Sequence, residues 1–110
     1  MQDASSSPIV TEAIERLRAL YGERLRGVAV RMPAPGPTPE DDADMELIAV
    51  LDHISNRWAE IHEMSAVASE LGLAHTLLVL PTPVTEAEFT HPQDVGGLLR
   101  FSLIEAVRVA

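Results

Sequence analysis

The apolar residues of this chain fall into helical and strand-like runs separated by glycine and proline. Ile9, Ala13, Ile14, Leu17, Leu20 and Tyr21 recur at helical spacing, with Ser7 as N-cap, Pro8 at the first helical position and Gly22 as the stop. From Leu25 to Met32 the centre, Val28-Ala29-Val30, is β-branched and apolar, which predicts a first strand. A second begins near Met45, runs through Leu47-Ile48-Ala49-Val50-Leu51 and is closed by His53-Ile54-Ser55. The linker between them holds four of the eight prolines, in Pro33-Ala34-Pro35-Gly36-Pro37-Thr38-Pro39, and continues into Glu40-Asp41-Asp42. So proline-rich a loop has no room for a crossover helix, so the two strands are expected to be antiparallel neighbours.

Ser55 or Asn56 is placed to cap a second helix with Trp58, Ile61, Ala68 and Leu71 on its core face and Gly72 at its end. Trp58, the only tryptophan, is assigned to the core on that pattern. Leu73 to Leu80 reads as a third strand, broken by Pro81-Thr82-Pro83, and the unbroken run Leu77-Leu78-Val79-Leu80 predicts burial on both faces. Thr85-Glu86-Ala87-Glu88 matches a capping box. After Gly96-Gly97 a last helix is expected over Leu98 to Ala106, and Val107-Arg108-Val109 adds a short edge strand. The final helix carries Leu98, Leu99, Leu103 and Ile104, a set that suits either core packing or an oligomer interface. The order α-β-β-α-β-α-α predicts an α+β (α/β) domain over residues 8–110, a small mixed β-sheet with helices mainly on one face, after a disordered N-terminus at 1–7.

Composition narrows the function classes. With 110 residues the chain is one domain, and its formal net charge is −9 with every one of its eight cations an arginine. An acidic chain without a basic stripe is a poor match for nucleic acid or anionic membranes. The absence of cysteine removes disulfides and thiolate chemistry, and no apolar run reaches membrane-span length. Met1 to Ser7 has no signal-peptide core, so the expected compartment is cytoplasmic.

The chemistry concentrates at Asp44-Met45-Glu46. A strand has period two, so Asp44 and Glu46 project from one face at the strand's mouth. Two carboxylates that close repel unless a cation lies between them, so the pair is either a divalent-metal site or what remains of one, set against the plain reading of a solvated acidic loop from Glu40 to Glu46. His53, His62, His75 and His91 show no i,i+3 or i,i+4 pairing and are not expected to ligate metal.

From Ile14 to Val109 the chain resembles the minimal nucleotidyltransferases of the polymerase-beta-like superfamily. The resemblance is carried by Leu20-Tyr21-Gly22-Glu23-Arg24-Leu25-Arg26-Gly27-Val28, by Asp44-Met45-Glu46-Leu47-Ile48-Ala49-Val50-Leu51 and by Pro83-Val84-Thr85-Glu86-Ala87-Glu88-Phe89. Leu98-Leu99-Arg100 and Glu105-Ala106-Val107 look like the family's closing segment. It implies that Asp44 and Glu46 stand for the family's Asp-x-Asp, which holds two magnesium ions for attack on a nucleotide's α-phosphate. It also implies that Arg31 and Met32 occupy the nucleotide-binding position of a Gly-Ser pair, and Pro35 that of a frequent arginine. Arg31 fills space that glycine leaves for phosphates, and Met32 has no hydroxyl to donate. The third carboxylate of many superfamily members is missing, His75 and Thr76 standing near its expected place.

The resemblance therefore implies a degenerate, antitoxin-like member working through protein–protein contact, with a small helical partner protein or a second copy, and with magnesium as its only candidate cofactor. The alternative is an active metal-dependent enzyme that transfers a nucleoside monophosphate from a nucleoside triphosphate to a protein or small molecule. The hairpin adds one further expectation: Arg31, at the strand's end beside Asp44, replaces the lost cation in an internal Arg–carboxylate cluster.

Overall fold

Side-chain alternation on the two central strands organises the molecule. The computed structural model describes residues 7–32 and 44–110. Strand β1 (Leu25–Arg31) pairs antiparallel with β2 (Asp44–Leu51), from Leu25 opposite Leu51 to Arg31 opposite Glu46. Strand β2 pairs in parallel with β3 (Leu78–Thr85), the connection being made by helix α2 (Arg57–His75). The two-residue β4 (Val107–Arg108) adds to the other side of β1, giving the order β3-β2-β1-β4. The hairpin and the short closing strand are as the sequence predicts.

Period two divides β2 between two cores. Met45, Leu47, Ala49 and Leu51 pack with Val28 and Val30 against α1 (Pro8–Tyr21) and α2, through Val10, Leu17, Met64 and Leu71. Ile48 and Val50 lie on the opposite face with Ala29, Val84 and Leu103, beneath the short helices α3 (Glu86–Thr90) and α4 (Gly97–Glu105). The protein is thus a mixed α+β domain, its two long helices on one face of the sheet. Glu46 belongs to the other face, near the start of β2. Among the described residues no helix is long and apolar enough to cross a membrane.

Local chemistry explains most element ends. Pro8 opens α1 behind Ser7, whose carbonyl, rather than its side chain, accepts from Thr11. Asn56 caps α2 by accepting from the Ala59 amide, and Thr85 and Glu88 form the reciprocal capping box that starts α3. Arg57 grips both oxygens of Glu88 at 3.0 and 2.8 Å and also donates to the Pro83 carbonyl, tying the start of α2 to the end of β3.

The second half of the chain departs from the pattern reading in connected ways. Helix α2 does not stop at Gly72 but continues to His75, and Thr76 in the left-handed region (φ 57°) ends it. The third strand is consequently Leu78–Thr85, not Leu73 to Leu80, and it contains Pro81 and Pro83 instead of ending at them. Two residues apart on a strand, their missing N–H groups share one side, and β3 is an edge strand whose other side completes the ladder to β2. The Pro83 carbonyl on that outer side is the one Arg57 satisfies. Burial on both faces fails too: Val79 is buried, but Leu78 and Leu80 are 55% and 43% exposed. Trp58 is not core but 80% exposed, the buried stripe of α2 being Met64, Ala68 and Leu71. On α4, Leu103 is buried and Ile104 exposed.

Candidate functional site

The hairpin register brings the candidate residues together. Arg31, last on β1, sits opposite Glu46 on β2, on the face shared with Ala29 and Ile48. On β3 the residues of that face are Leu78, Leu80, Thr82 and Val84, the first two aligned with Asp44 and Glu46. The place sought for a third carboxylate is therefore apolar, flanked by a hydroxyl. His75 is turned to another partner: it ends α2 and bonds Glu12 of α1 at 2.8 Å, a contact that holds the Glu12 carboxyl below its ordinary range.

Glu46 is almost enclosed, its side chain only 13% exposed. Thr82 Oγ1 donates to Oε2 at 2.6 Å, and Arg31 Nη1 stands 3.6 Å from Oε1, an ion pair without a hydrogen bond. Arg31 Nε donates at 2.9 Å to Oε2 of Glu105, the last residue of α4. One guanidinium thus bridges a carboxylate on the sheet and one on the covering helix. The hairpin predicts an Arg–carboxylate cluster beside Asp44; the register sets Arg31 opposite Glu46 instead, and Glu105 and Thr82 are members that the sequence did not reveal. Met32 follows on the strand's end and is about half exposed. The Asp44 side chain, the Pro33 to Pro39 loop with Pro35, the Glu40-Asp41-Asp42 run and the N-terminal segment 1–6 lie outside the described residues.

This arrangement does not suit a magnesium ion on Glu46. Magnesium binds carboxylate oxygen at about 2 Å and demands a near-octahedral shell, so it would stand no more than about 6 Å from the guanidinium and repel it. One Glu46 oxygen is already committed to Thr82, and the other faces Arg31. Among the described residues no three His, Asp or Glu side chains are arranged to hold a metal.

A second polar cluster occupies the opposite end of the sheet. Arg24 donates to Glu60 Oε1 at 3.0 Å, pairs with Asp52 at 3.5 Å, and lies 5.5 Å from the centroid of the Tyr21 ring. Burial raises the Tyr21 phenol above its ordinary range, and Glu60 beside it adds to the effect. Tyr21 is the only tyrosine, so phenolate absorbance reports it alone. It should remain protonated in the folded protein beyond about pH 10, where an exposed tyrosine is half ionised. The fold holds this proton more tightly than the unfolded chain does. Its contribution to stability is therefore full below the unfolded pKa of about 10 and is lost as pH rises past it. Phenolate appearing near pH 10 without unfolding would contradict this environment.

Compared with family models, curated proteins and solved structures, the chain matches none.

Proposed function

We propose that this protein is a nucleotidyltransferase-like domain in which an arginine has taken the place of the metal, and that it acts by binding another protein, in the manner of an antitoxin, rather than by catalysis. The observation that carries this reading is Arg31, held between Glu46 and Glu105 where the resemblance puts the phosphates and their cation. A guanidinium fixed by two carboxylates is neutralised for phosphate binding, and its charge 3.6 Å from Glu46 Oε1 opposes a second cation there. The order of elements supports the family reading: an antiparallel hairpin ending in the acidic pair, followed by a helical connection to a parallel strand.

A protein partner is supported by the rim of the same site. Leu78 and Leu80 expose apolar surface beside Glu46, and the prolines between β3 and solvent remove the donors that a sheet-extending strand needs. The partner suited to such a surface presents apolar side chains from a helix and carries the positive charge that complements a net −9 chain. Incubation with magnesium and each labelled nucleoside triphosphate is expected to give no nucleotide transfer. Transfer that Asp44→Ala abolishes would replace this reading with that of an active transferase.

A further inference from the structure

Half of the arginines are spent on carboxylates: Arg16, Arg24, Arg31 and Arg57 each pair with at least one. Among the described residues Arg18, Arg26, Arg100 and Arg108 pair with no Asp or Glu side chain, and three of these four line two adjoining clefts at the start of β1. The larger has a volume of about 420 Å³ and is lined by Arg26, Arg108, Thr90 and His91 over an apolar wall that includes Phe89. The smaller, about 360 Å³, shares Arg26 and adds Arg18. In a chain of net charge −9 this is a local concentration of arginines.

Two backbone features build the larger cleft. Between Leu25 and Gly27 the β1–β2 register slips by one residue, making Arg26 the extra residue of a β-bulge, a device that re-aims a side chain at a sheet edge. Next to it, Gly27 leaves room for the neighbouring guanidinium: a Cβ there would lie 2.9 Å from Arg108 Nη2 and 3.1 Å from its Cζ. Arg108 is held in that space by donating to the carbonyls of Arg26 at 3.0 Å and Ala110 at 2.9 Å, with its Cζ 5.9 Å from the centre of the Phe89 ring. Its remaining Nη1 has no hydrogen-bond partner among the described residues. Arg26 and Arg31 are five positions apart on β1, about 16 Å at strand rise, so this cleft is separate from the Glu46 site.

The geometry points to a binding site for the phosphoryl group of a small molecule between Arg26 and Arg108, with the Thr90 hydroxyl and the His91 ring N–H as further donors and Phe89 beneath the apolar part of the ligand. The cleft gathers donors from β1, β4 and the end of α3, a number that a phosphoryl group with three acceptor oxygens can use; a carboxylate presents two coplanar oxygens suited to a single guanidinium. Glu86 at the rim is the one acid that lines the cleft and disfavours ligands with extended negative charge.

The probes are inorganic phosphate and pyrophosphate at low salt, with succinate as the carboxylate comparison, followed through the amide resonances of the protein. Saturable shifts confined to Arg26, Gly27, Thr90, His91 and Arg108 are expected, stronger for phosphate than for succinate. Arg26→Gln removes one charge-assisted contact and should weaken binding about tenfold. Gly27→Ala keeps every charge but crowds the end of Arg108 and, at 3.2 Å, the Ala110 oxygen, and should weaken binding while the fold is retained, as the thermal midpoint checks. Shifts spread equally over Arg100, no change in Arg26→Gln, or succinate binding as tightly as phosphate would each overturn the assignment. None of these outcomes depends on whether the Arg31 site is catalytic.

Discussion

Arg31→Met should lower the unfolding free energy by about 2–3 kcal/mol, measured by denaturant titration, because it strands a carboxylate that is nearly out of solvent. Methionine keeps the apolar stem, so the loss reports the guanidinium and not packing. Glu46 would keep only Thr82 at Oε2, while Oε1 would face no cation. The value belongs below the usual range for a fully buried pair, since the Arg31 side chain is itself 27% exposed and Glu105 is an open surface acid. Adding Glu46→Leu in the same chain should restore stability to within about 1 kcal/mol of wild type, as when both members of an enclosed ion pair give way to apolar residues. Millimolar magnesium should stabilise Arg31→Met and leave the wild type unmoved, because only the variant presents Glu46 and Glu105 without their cation. A single-variant loss under about 0.5 kcal/mol, the scale of an ordinary surface substitution, would show that Arg31 does not neutralise this site.

The hairpin was legible because a local rule decides it: the prolines exclude a crossover between Leu25–Arg31 and Asp44–Leu51. That Arg31 joins a carboxylate cluster followed from the same hairpin, but its companion Glu105 is 74 residues away and arrives only because Leu103 seats α4 against Ala29 and Ile48. No pattern along the chain carries that packing. The prolines of β3 misled for a related reason: they break a strand that needs both edges and are harmless on one that needs a single edge, and edge status is a property of the assembled sheet. Trp58 was misassigned by a short helical count. At 100° per residue it lies about 120° around the helix from Met64, outside the stripe formed with Ala68 and Leu71. The bulge that aims Arg26 leaves no mark in the sequence at all, since it is a mismatch between two strands.

Gly72→Ala should lower the thermal midpoint by roughly 10 °C, equivalent to about 2–3 kcal/mol in a domain of this size. Helix propensity alone predicts the opposite sign, since alanine gains about 1 kcal/mol over glycine inside a helix, and Gly72 is three residues short of the end of α2. What overrides it is the return of the chain. The Leu77 amide donates to the Gly72 carbonyl at 3.0 Å, and the Leu77 carbonyl folds so close that a Cβ on residue 72 would stand 2.5 Å from its oxygen. The obstructing atom is backbone, so no rotamer change relieves it. Relief by moving Leu77 would pull on Leu78, the first residue of β3, whose pairing with Asp44 starts the parallel ladder. Gly96→Ala is the matching control: a Cβ there meets nothing within 4 Å, and its cost should not exceed about 1 kcal/mol at an N-cap. If Gly72→Ala instead raised the midpoint, the helix would have to end as the glycine suggests in the sequence, and the start of β3 would have to move with it.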